Sequence, residues 1–128
     1  MKYVTDTHSL VWYFLEDSRL SVNALQAIDG TLSNGEIIVP TVVLAEIMFI
    51  SRKGRIPISF QETVERIEKY ENFTIVSLDM DILVAADGLE TELEMHDKLI
   101  VATAIIHRAS LITRDTQIRN SRIVRTVW

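Results

Sequence analysis

Cysteine is absent from this sequence. That excludes a disulfide framework, a thiolate metal site and a cysteine nucleophile. It fits a reducing compartment, so a cytoplasmic location is expected. Proline and glycine are scarce, two and four residues respectively, and no linker, repeat or low-complexity run breaks the chain. No uncharged apolar run reaches the roughly 18 residues that a membrane span needs, so no membrane attachment is expected. The N-terminus, MKYVTDTH, meets Asp6 before any long apolar run, unlike a signal peptide. Positive charge is short as well. Thirteen Lys and Arg against 18 Asp and Glu leave a net charge of −5, which counts against nucleic acid as a partner. Apolar residues are plentiful, at 48% of the 128, enough for one domain over residues 1–128 with its own core.

Short apolar segments alternate with helical ones. Lys2–Thr5 reads as a strand and His8–Leu15 as a helix. Ser21 opens a helix to Leu32 as its N-cap. After the break at Asn34-Gly35, Ile37–Val39 reads as a strand. Pro40 and Thr41 then start a helix that ends near Gly54. Ser59, with Glu62 at the capping-box position, starts a helix to about Tyr70. Phe73–Val76 is a strand, and Asp79 caps a helix to about Asp87. Met95–Arg108 reads as a helix, Ser110–Thr113 as a strand and Ile123–Val127 as a last strand. This order implies an α/β fold: a parallel, doubly wound sheet of about five strands flanked by helices. Ligands of such sheets bind beyond the carboxyl ends of the strands.

Four carboxylates stand in places that need explaining. Asp6 directly follows the first strand, and Asp115 comes two residues after Ser110–Thr113, so both fall at the carboxyl edge of the sheet. Glu46 lies in the helix PTVVLAEIMFI, where its i±3 and i±4 neighbours Val42, Val43, Phe49 and Ile50 are apolar. Asp97 lies near the start of its helix, above Ile100 and Val101. Each has an ordinary structural explanation: Asp6, Asp115 and Asp97 as helix caps, Glu46 as half of a buried pair with an arginine. Together, two acids on strand ends and two on inward helical faces can converge on one crevice. Converging carboxylates repel and need a cation. Oxygen ligands without Cys or a spaced His pair suit Mg²⁺ or Mn²⁺ rather than zinc.

With those residues in view, the chain resembles the PIN domain family, and within it the VapC-type toxin ribonucleases of toxin–antitoxin pairs. The resemblance runs through YVTDTHSLVW, VLAEIMFISRKGRI, MHDKLIVATAI and LITRD to the final Trp128, in order and over essentially the whole chain. By position, Asp6, Glu46, Asp97 and Asp115 match the family's acidic quartet, Thr7 the hydroxyl beside the first acid and Thr113 the one before the last. Relatives often read Asp-Pro-x-Asp-Arg where this chain has Glu94-Met95-His96-Asp97-Lys98, so Glu94 is an additional site candidate and Lys98 stands in place of Arg. The resemblance implies a single PIN-like domain, an Mg²⁺- or Mn²⁺-dependent endoribonuclease acting through metal-activated water, an RNA substrate, a cognate antitoxin and a homodimer. Asp6 and Asp97 would ligate metal directly, Glu46 and Asp115 directly or through water, with Thr7 and Thr113 orienting them.

Two divalent ions would bring the net charge close to neutral, and basic clusters are available for an RNA backbone. One is the tail with Arg108, Arg114, Arg119, Arg122 and Arg125; the other is Arg52, Lys53 and Arg55. His8, His96 and His107 lack metal-ligand spacing, and His96 reads as an incidental neighbour of Asp97. Trp12, Tyr13 and Phe14 read as core or interface, Asp79 and Asp81 as caps. The competing readings are a catalytically silent PIN scaffold and a phospho-receiver signalling module.

Overall fold

A computed structural model describes all 128 residues. Its elements are β1 (Lys2–Thr5), α1 (Thr7–Phe14), α2 (Val22–Gly30), β2 (Glu36–Pro40), α3 (Thr41–Arg52), α4 (Phe60–Glu68), β3 (Phe73–Val76), α5 (Met80–Asp87), α6 (Met95–Ile106), β4 (Ser110–Ile112), α7 (Thr116–Ser121) and β5 (Thr126–Val127). The five strands form one parallel sheet in the order β3-β2-β1-β4-β5. Signalling modules of the receiver type order their strands 2-1-3-4-5, so the topology is not theirs.

The central strands are buried on both faces and therefore read as continuous apolar runs. Tyr3, Val4, Ile37, Ile38, Val39, Leu111 and Ile112 all belong to the main core. Helices cover this sheet with Leu10, Val11 and Phe14 from α1, Val43, Leu44 and Ile47 from α3, and Ile100, Val101 and Ala104 from α6. A smaller cluster, Ile82, Ala86, Leu99 and Ala102, holds α5 on α6.

The helix starts follow the capping chemistry of the sequence. Ser21 accepts from Ala24 N–H, Asp79 accepts from Ile82 N–H, and Ser59 with Glu62 forms a reciprocal capping box. Two features depart from expectation. The basic tail contains a helix, α7, whose single buried residue is Ile118. The last strand is only Thr126–Val127, because the preceding residues turn through Arg122, which has a positive φ of 56°.

Strand order places the site. β1 pairs with β2 on one side and β4 on the other, and the chain winds outward in both directions from there. The seam between β1 and β4 is the point where open parallel sheets leave a crevice beyond their carboxyl ends. The residue after β1 is Asp6, and three residues after β4 comes Asp115.

Candidate active site

At that seam lies a cavity of about 750 Å³ lined by 14 residues, only two of them hydrophobic. Asp6, Thr7, Glu46, Glu94, Asp97 and Asp115 all contribute to its wall, with His8, His96, Trp12, Arg19 and Arg114. Four elements separated along the chain therefore deliver the acids to one place.

Asp6 and Asp115 are helix caps as well as cavity residues. Asp6 Oδ1 accepts from Ser9 N–H at 2.9 Å and Asp115 Oδ1 from Ile118 N–H at 2.9 Å. Each cap engages Oδ1, so the capping explanation and the site explanation do not compete. Thr113 links the two. Fully buried, it accepts from the Asp115 N–H through Oγ1 at 3.1 Å, and the same hydroxyl favours the charged form of Asp6. Thr113 thus supports the site from beneath and is absent from the cavity wall.

Glu46 sits less deeply than its neighbours suggest. Val43 and Ile50 are buried, but Phe49 is 57% exposed. The side chain lies where the buried stripe of α3 meets the surface, 27% exposed. No arginine pairs with it. The buried Thr7 hydroxyl donates to Glu46 Oε1, and His96 Nε2 stands 3.6 Å from Oε2. Its desolvation cost is correspondingly smaller than a fully buried carboxylate would carry.

His96 is not incidental. Its Nε2 lies 3.4 Å from Asp97 Oδ1 as well as near Glu46, and its Nδ1 lies 3.7 Å from Glu94 Oε2. The ring therefore touches three of the five acids. Nothing along the chain announces this except that residues 94, 96 and 97 share the first turn of one helix and so surround its N-terminal end.

The electrostatics show the crowding. Burial holds the Asp6 carboxyl above the usual aspartate range, although hydrogen bonds from Ser9 and Thr113 and the nearby His8 oppose the shift. Burial also raises Asp97; His96 opposes, while the negative charges of Asp115, Glu46 and Glu94 push it further up. The first turns of α1, α6 and α7 line the cavity, and the positive ends of their dipoles offset part of the charge.

The donor set fits a hard divalent cation. Carboxylate oxygens dominate, and donor atoms of Glu94, His96 and Asp97 all come within 4.8 Å of one another. The His96 imidazole adds a borderline donor, which extends the fit from Mg²⁺ toward Mn²⁺.

Arg19 carries no signal along the chain that marks it as a site residue, and Trp12 does more than fill the core or an interface. Trp12 is buried, yet it lines the cavity, with the guanidinium carbons of Arg19 and Arg114 at 5.0 and 5.4 Å from its ring centroid. Tyr13 and Phe14 pack instead with Tyr70 and Phe73. Of the two basic clusters, only Arg114 reaches the cavity wall. Arg52, Lys53 and Arg55 lie at and beyond the far end of α3, with Arg52 six residues and about 9 Å along the helix from Glu46.

The sequence profile of the PIN domain matches residues 3–123. The chain is 29% identical over 127 residues to ribonuclease VapC22 of Mycobacterium tuberculosis (strain ATCC 25618 / H37Rv), covering 96% of this chain and 95% of the relative. Among solved structures, VapBC2 from Rickettsia felis, bound to a DNA fragment from its promoter, superposes with a TM-score of 0.75 at 18% identity, over 98% of this chain and 97% of that one. VapC20 of Mycobacterium tuberculosis, described as a sarcin–ricin loop cleaving toxin, superposes with a TM-score of 0.68 at 12% identity over 100% of both chains. With its strand order, its acid-lined switch point and a profile match over nearly its full length, the chain belongs to the PIN domain family.

Proposed function

We propose that the protein is a divalent-metal-dependent endoribonuclease, the toxin of a VapBC-type toxin–antitoxin pair. The observation that carries this is the convergence of Asp6, Glu46, Asp97 and Asp115 on one polar cavity at the switch point of a PIN domain. The relative named as a ribonuclease and the toxin–antitoxin complex among similar structures support the reading.

Asp6 and Asp97, and with them Glu46 and Asp115, would hold Mg²⁺ or Mn²⁺; Glu94 and His96 stand at the same rim. A cation bound there supplies an activated water and neutralises charge developing on the phosphate. The protein's own contribution is positioning. Capping leaves Asp6 and Asp115 little freedom to rotate, since one oxygen of each is tied to a helix N-terminus. Thr7 fixes Glu46 by donating to Oε1, which leaves Oε2 on the side of His96. Thr113 steadies the Asp115 loop by accepting its N–H and favours the charged form of Asp6. Such support from behind the ligands commonly matters about 10–100-fold in metal affinity or activity.

The partners follow from the same reading: RNA as substrate, an antitoxin that restrains the enzyme, and a second copy of the chain. Exposed Met80, Leu83 and Val84 on α5 and Phe49 on α3 give apolar surface for protein contacts. The test is cleavage of RNA by the purified protein in Mg²⁺, compared with Asp97→Asn. Cleavage by the wild type and none by the variant is expected; equal cleavage by both refutes the assignment of the site.

A further inference from the structure

An RNA strand must cross a cavity rich in carboxylates on a protein of net charge −5. Metal can neutralise the acids beneath the phosphate being cut, but the neighbouring phosphates need cations of their own. The cavity wall offers two permanent ones, Arg19 and Arg114. They come from distant parts of the chain, the turn after α1 and the loop between β4 and α7. Both guanidinium groups nevertheless rest against the same indole, Trp12. Trp12 is itself held by His8, with ring centroids 5.6 Å apart, and by Trp128 at 5.9 Å.

The two arginines are not equivalent. Arg19 is already engaged by Asp17, with Nε at 3.0 Å from Oδ1 and Nη2 at 2.7 Å from Oδ2. Arg114 has no carboxylate within 4.0 Å and is exposed. It is a cation beside an acidic cavity, next in sequence to a cavity acid, steadied by an aromatic face and without an anion of its own. A planar guanidinium stacked in this way presents a fork that matches a phosphate in two-pronged fashion. The stacking also reduces the conformational freedom that a free arginine loses on binding.

Resting on the ribonuclease reading, we propose that Arg114 binds the backbone phosphate next to the one cleaved, and that the RNA strand enters over Trp12 with Arg19 as its second contact. An acidic segment of a protein partner could use the same fork. The RNA backbone is favoured because its charges repeat along the strand on both sides of the scissile phosphate, and these arginines are the permanent cations where that strand must pass.

The test uses the full chain with Asp97→Asn, so that RNA survives the measurement, and a short single-stranded RNA in Mg²⁺. Affinity is measured by fluorescence anisotropy across a salt series. Adding Arg114→Gln should weaken binding at least fivefold and flatten the slope of log K against log salt by about 0.7, the share of one phosphate contact on a single strand. Arg114→Lys should keep most of the slope but lose part of the affinity. Arg52→Gln, away from the cavity, should change neither. The two tryptophans, Trp12 and Trp128, are the only ones in the chain, so RNA should change the intrinsic emission, and Arg114→Gln should largely remove that change. Arg114→Gln with unaltered affinity and slope overturns the proposal. So does the case in which the variant binds RNA normally but loses affinity for the cognate antitoxin, which would place Arg114 in the protein interface. Wild-type protein that neither binds nor cleaves RNA refutes the ribonuclease reading itself; a wild type that cleaves RNA beside an indifferent Arg114→Gln refutes only the strand path.

Discussion

Two aspartates in this site hold their protons above the ordinary range, and the cause differs between them. For Asp6 it is burial; for Asp97 it is burial and then the neighbouring acids, offset by His96. A folded-state value above the unfolded one means that the charged form costs stability in the fold. That stability is fully present below the unfolded value and is lost as the pH rises through the raised one. Asp97→Asn should therefore melt higher than wild type in EDTA at neutral pH. The advantage should vanish below about pH 4, the ordinary aspartate value, where the wild-type group is protonated as well. Thermal melts across that window check this; an advantage that does not change with pH would remove charge crowding as the cause. The acids were legible because each is anomalous within its own segment, on a strand end or an apolar helical face. His96 and Arg19 were not, because their significance lies in what they face across the fold, and neighbours along the chain do not show it. Glu46 is less buried than its apolar neighbours imply for the same reason: Phe49 is apolar but lies on the exposed side of α3.

Among the elements, α7 separates capping from chemistry. It is six residues long and is capped at its start by Asp115, so a substitution there tests both roles. Asn is as good an N-cap as Asp. Asp115→Asn should keep the melting temperature close to that of wild type while reducing RNA cleavage. Asp115→Ala should lose cleavage and also about 0.5–2 kcal/mol of stability, the usual cost of a lost cap. Paired denaturant melts and cleavage assays decide; equal stability of the two variants would mean that the Asp115–Ile118 hydrogen bond contributes nothing. Helices with strong start signals, at Ser21, Ser59 and Asp79, could be placed from the sequence. α7 escaped because one buried isoleucine in six residues gives no apolar period. β5 is shorter than its apolar run because Ile123 and Val124 resemble strand residues but precede the sheet rather than join it.

At the scale of the whole molecule, the order of strands decides what the acids can do. A parallel sheet wound outward from β1 brings residue 6 and residue 115 to one seam, and α3 and α6 bring Glu46 and Asp97 over it. The alternation of strands and helices is readable in the sequence; the strand order is not, because alternation alone leaves open which strands are neighbours. No helix is long and apolar enough to cross a membrane. A cation that binds only the folded site stabilises the fold in proportion to its occupancy. Mg²⁺ should therefore raise the melting temperature of the wild type and raise that of Asp6→Asn or Asp97→Asn less. The most direct measurement is RNA cleavage by the purified wild type, first after exhaustive EDTA treatment and then with Mg²⁺ or Mn²⁺ restored. The account predicts no cleavage in EDTA, recovery with either ion, and no loss under zinc-specific chelation. Full cleavage in EDTA would contradict it.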